Sequence, residues 1–83
     1  MNNSAEAASR ALALSKQIKP LLAGQGPDLQ AAALADLVSV WLAGHPKALR
    51  EELFSDWIAT VRQLLPVSIA EIFGNEPPPG WEA

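Results

Sequence analysis

The sequence predicts an all-α protein: an antiparallel three-helix bundle with a short fourth helix at the C-terminus, pairing with a second copy of itself as a homodimer. Three observations carry this expectation. Apolar residues recur at spacings of three and four in successive segments, the period of a helix with one covered stripe. Two short turn signals part those segments, Gly24-Gln25-Gly26-Pro27 and Gly44-His45-Pro46, where glycine suits the end of one helix and proline the start of the next. Between them lies Asp28 to Gly44, DLQAAALADLVSVWLAG, with only Gln30, Asp36 and Ser39 polar from Leu29 to Ala43. That stretch is shorter than the about 20 apolar residues needed to cross a hydrocarbon core, so it reads as a covered central helix rather than a membrane span.

With 83 residues the chain has room for one domain, near the size at which a single core supplies little stability and dimerisation is a common remedy. Residues 1–74 are expected to form that domain, with helices at about 4–23, 28–44, 46–65 and 69–73, and residues 75–83 a proline-rich tail.

Asn3 with Glu6 three positions on is a capping-box pattern, which starts the first helix at Ser4 or Ala5. Ala7, Ala11, Leu14, Ile18 and Leu21 then make a bundle seam. Pro20 removes a backbone donor and crowds the Lys16 carbonyl, so a kink is expected there, with one further turn before Gly24 ends the helix. Pro27 and Asp28 suit the first turn of the central helix, where proline loses nothing and a carboxylate meets the positive end of the dipole.

On a helical wheel the central segment places Gln30, Leu34, Leu37 and Trp41 at the middle of one face, flanked by Ala31, Ala33, Val38, Val40 and Leu42. The apolar arc exceeds the stripe of a little over about 100° that a surface helix needs, so more than one neighbour must cover it. On the remaining strip Ala35, Ser39 and Ala43 recur every four residues, small enough for another helix to come close.

The third helix is amphipathic. It has Leu49, Leu53, Phe54, Trp57, Ile58, Val61, Leu64 and Leu65 on one side and mostly charged residues on the other. Folding about His45 should set Leu37 opposite Phe54, Leu34 opposite Trp57 and Trp41 beside Leu49 and Leu53, which is the expected core. After Pro66 the chain is expected to restart: Ser68 with Glu71 forms a second capping box, and Ile69, Ile72 and Phe73 give a short helix closed by Gly74. In the tail NEPPPGWEA, three consecutive prolines favour an extended polyproline conformation. Trp81 there is either a strap folded onto the bundle or an anchor offered to a partner.

Composition narrows the function classes. The formal charge is −3, and the clustered Lys and Arg of a nucleic-acid footprint are missing. The charge is uneven, with Arg10, Lys16 and Lys19 against Glu6 in residues 1–27 and three cations against eight acids thereafter. There is no cysteine, hence no disulfide and no thiolate metal site. The first ten residues lack a charged region followed by an apolar run, so no secretory signal is read and a cytoplasmic location is expected.

No catalytic, metal-binding or cofactor-binding residues are assigned. His45 is the only histidine and has no second histidine to pair with. Glu51, Glu52 and Asp56 lack the Glu-x-x-His pattern of helical two-metal sites. Gly24-x-Gly26 lacks the strand and the further residues of a phosphate loop.

The function expected is a non-enzymatic protein–protein interaction module, a small adaptor or regulatory subunit. Its candidate contact residues are Ala35, Val38, Ser39, Trp41, Ala43, Ile69, Ile72, Phe73 and Trp81. One alternative is a transcriptional regulator of helix-turn-helix type, disfavoured because a recognition helix starting Lys47-Ala48-Leu49-Arg50-Glu51-Glu52 would repel phosphates. The other is a small-ligand carrier or enzyme with a pocket between helices.

Overall fold

Strong helix formers fill this chain between its glycine and proline punctuation, and the structure follows that punctuation at the first two boundaries. In the computed structural model, which describes residues 3–76 and 78–81, the elements are α1 (Asn3–Leu22), α2 (Pro27–Ala43) and α3 (Lys47–Phe73). There is no strand among the described residues. The chain forms two compact units, Met1–Val38 and Ser39–Ala83, so α2 begins in the first and ends in the second.

In the first unit, α1 continues through Pro20 to Leu22. It closes with the Ala23 N–H donating to the Lys19 carbonyl at 3.0 Å and the Gln25 N–H to the Leu22 carbonyl at 3.1 Å. Gly24 adopts φ +82° at this point, the left-handed geometry that lets a chain leave a helix while its last carbonyls stay bonded. Pro27 then takes the first position of α2, where its missing donor has no intrahelical partner to lose. A side chain joins the two helices: Gln30 Nε2 donates to the Leu22 carbonyl at 2.9 Å.

In the second unit, the end of α2 is closed by a side chain rather than by a left-handed glycine. Gly44 has no positive φ; its N–H donates to the Val40 and Trp41 carbonyls at 3.2 and 3.3 Å. His45 Nδ1 donates to the Trp41 carbonyl at 2.8 Å. Pro46 precedes α3 without a side-chain cap of its own, and the Arg50 side chain reaches back instead, Nε donating to the His45 carbonyl at 3.0 Å.

The expected fourth helix over residues 69–73 does not exist as a separate element. Residues 66–73 continue α3, which passes through Pro66 without interruption. Proline in a helix interior forfeits one hydrogen bond and crowds the preceding turn. Here the good helix formers Leu64, Leu65, Ala70 and Glu71 on either side keep the backbone helical, and Ser68 sits mid-helix instead of capping. The tail departs from a simple extended reading as well, since the Trp81 N–H donates to the Pro78 carbonyl at 3.0 Å and forms a turn. Pro77, Glu82 and Ala83, which belong to the expected tail, lie outside the described residues.

The expected core is not formed. No described side chain is buried, and Leu34, Leu37, Phe54, Trp41 and Trp57 are all exposed, the two tryptophans at 38% and 37%. Helical periodicity states which face requires cover without supplying the cover. The apolar side chains of these faces are accordingly left exposed.

Candidate functional site

Each candidate contact residue has a definite place. Ala35 and Val38 lie on the part of α2 in the first unit, Ala35 exposed and Val38 half-buried. Ser39, Trp41 and Ala43 lie on its last turns in the second unit, all exposed. Because Ala35, Ser39 and Ala43 are four apart on one continuous helix, they share a face. Trp41 is held at the helix end: its ring meets that of His45 edge-on, centroids 5.7 Å apart at 74°, while its carbonyl accepts the His45 Nδ1–H.

The second unit carries two further aromatic pairs. Phe54 and Trp57, three residues apart on α3, stack at 6.2 Å with rings 13° from parallel. Both stay more than a third exposed, and Val61, Leu64 and Leu65 prolong their side of the helix, also exposed. The sequence places this pair in the core, and the structure leaves both rings exposed. Its i, i+3 spacing was the signal that the rings could cover one another along a single helix face. At the other end of α3, Phe73 meets Trp81 edge-on at 5.6 Å and 80°. Ile69 and Phe73 are half-buried, whereas Ile72 is 70% and Trp81 62% exposed.

The polar side chains that bond in this unit do so to backbone carbonyls. A carbonyl oxygen can only accept, so the contact with Trp41 places a proton on His45 Nδ1 and commits that nitrogen to closing α2. Thr60 Oγ1 donates to the Asp56 carbonyl at 3.0 Å, a bond within one turn of α3. Among the described residues no three His, Cys, Asp or Glu side chains converge in a way that could hold a metal ion. No helix of the described residues is long and apolar enough to cross a membrane.

The helices present exposed apolar side chains, mostly aliphatic, with Trp41, Phe54, Trp57 and Trp81 among them. Gln30 and Arg50, to which the sequence gives no turn role, fasten helix ends together with His45 of the Gly44-His45-Pro46 turn. No protein-family model, no curated protein and no solved structure matches this chain.

Proposed function

We infer that this protein is a non-enzymatic protein–protein interaction module, a small adaptor or regulatory subunit, whose apolar helix faces are covered by pairing with a second copy of the chain. One observation carries the reading: Leu34, Val40 and Trp41 on α2 and Phe54, Trp57, Val61 and Leu64 on α3 all remain exposed, although residues of these types gain most by leaving water. Contiguous apolar patches of more than a few hundred Å² are rare on soluble monomers and mark contact sites. Aromatic side chains at their centre are the usual anchors of such contacts.

Sedimentation velocity of the purified chain across the micromolar range tests the proposal. A mass that rises to that of a dimer supports self-pairing. A monomer at every concentration, with no partner recovered on a tagged chain, overturns it.

A further inference from the structure

Charge on this chain is sorted by helix. α1 carries Arg10, Lys16 and Lys19 against Glu6 alone, whereas the first turns of α3 carry Glu51, Glu52 and Asp56 against Lys47 and Arg50. Arg50 is turned back on its own helix end, its Nε donating to the His45 carbonyl.

Within α1, Leu12, Lys16 and Lys19 stand at i, i+4 and i+7 and so share one face. All three are exposed, Leu12 at 53%. At about 100° per residue, Glu6 falls a third of a turn away from Leu12. Within α3, Leu49, Glu52, Leu53 and Asp56 share a face by the same spacing. Leu49, Glu52 and Asp56 are exposed and Leu53 is half-buried. Lys47, Arg50 and Arg62 all fall a third of a turn or more from Asp56. Each helix therefore shows solvent a leucine edged by a single sign of charge, positive on α1 and negative on α3.

Neither edge suits its own copy. Setting α1 on α1 brings lysine against lysine, and α3 on α3 brings carboxylate against carboxylate, juxtapositions that cost affinity. Setting α1 of one copy on α3 of another joins unlike charges around paired leucines, and a two-fold dimer makes that contact twice. We propose that the second copy docks its α3 edge, Leu49, Glu52 and Asp56, on the α1 edge, Leu12, Lys16 and Lys19, and receives the same contact in return. This rests on the self-pairing reading above and names the faces that meet.

The test is a charge exchange in the full chain, read by sedimentation velocity. One variant carries Lys16→Glu with Lys19→Glu, a second carries Glu52→Lys with Asp56→Lys, and a third carries all four, which keeps the formal charge of −3. The positions are exposed, and far-UV circular dichroism verifies the helices. The first two variants, each alone, are expected to self-associate about tenfold more weakly or less than that, since several attractive pairs become repulsive ones. An equimolar mixture of the two is expected to regain association, because each copy then offers what the other lacks. The fourfold variant is expected to regain it alone. If the unchanged chain associates and neither reversal weakens it, the copies meet through other faces and only this proposal fails. Recovery in the fourfold variant without recovery in the mixture places the contact within one chain and overturns the proposal. Weakening with no recovery in either also overturns it, because the two edges then do not face each other. An unchanged chain that stays monomeric removes this proposal and the self-pairing reading together.

Discussion

Gln30 Nε2 donates to the Leu22 carbonyl across the turn between α1 and α2, at 2.9 Å. The last carbonyls of a helix have no partner within it, and here the Leu22 carbonyl, which already accepts the Gln25 N–H, takes a second donor from a side chain of the next helix. Gln30→Ala removes the donor from a partly buried site and is expected to lower stability by about 1 kcal/mol. Gln30→Glu is expected to cost more, because a carboxylate cannot donate and sets negative charge against the carbonyl oxygen. Urea unfolding of the two variants checks the order. Equal midpoints for Gln30→Glu and the unchanged chain would show that the bond contributes nothing.

His45 closes α2 in the way Gln30 closes α1, and its ring also leans on Trp41. Two substitutions separate those roles: His45→Phe keeps an aromatic edge near the indole without the donor, and His45→Ala removes both. Each is expected to destabilise by about 1 kcal/mol from the lost hydrogen bond, with Ala lower by a further increment of roughly 0.5 kcal/mol from the ring contact. Nitrogen-15 spectra of the imidazole are expected to show the proton of the neutral ring on Nδ1. A ring carrying it on Nε2 would be incompatible with the contact to the Trp41 carbonyl.

The helix boundaries that the sequence made legible are those where its punctuation is unopposed. Pro27 with Asp28 opens α2, and Gly44-His45-Pro46 separates α2 from α3, each within a residue of expectation. Gln30, by contrast, looked like a polar intruder on an apolar face, because its partner is a carbonyl eight residues earlier that no periodicity names. Around Pro66 two local rules disagreed. A capping box at Ser68 and Glu71 is a signal worth about 1 kcal/mol, and it lost to the backbone bonds that a continuous α3 keeps on both sides of the proline. The tail was legible in part: Pro79-Gly80 is a turn signal in its own right, obscured by reading three prolines as one extended run. Periodicity names the residues of a face whether or not anything covers them, so it set Ala35, Ser39 and Ala43 on one face of α2, and the structure adds that all three are exposed.

Continuity of α3 through Pro66 has a consequence that a separate C-terminal helix would not share. Inside one helix, proline leaves the Arg62 carbonyl without its donor, so Pro66→Ala is expected to raise stability, by as much as about 3 kcal/mol. At the first position of a separate helix the same substitution would be close to neutral. Ser68→Ala sharpens the contrast. As a cap, Ser68 would cost about 1 kcal/mol to lose, whereas in mid-helix alanine is neutral or slightly favourable. Thermal unfolding followed by far-UV circular dichroism reads both, and a lowered midpoint for Ser68→Ala would break α3 at Pro66.

Gly24 and Gly44 occupy similar places in the sequence, each just past a helix, but their backbones differ. Gly24 sits at φ +82° with nothing within 4 Å of an added Cβ, so any cost of Gly24→Ala comes from backbone conformation alone. That cost is expected to be about 1 kcal/mol. Gly44 has no positive φ, and a Cβ there would rest at 3.5 Å from the Trp41 carbonyl oxygen, an ordinary contact. Gly44→Ala is therefore expected to be neutral or to stabilise by roughly 0.5 kcal/mol, since alanine restricts the unfolded chain without straining the folded one. The pair is measured side by side in urea. Equal losses at both positions would mean that α2 ends on a left-handed residue after all, and that the His45 side chain is not what closes it.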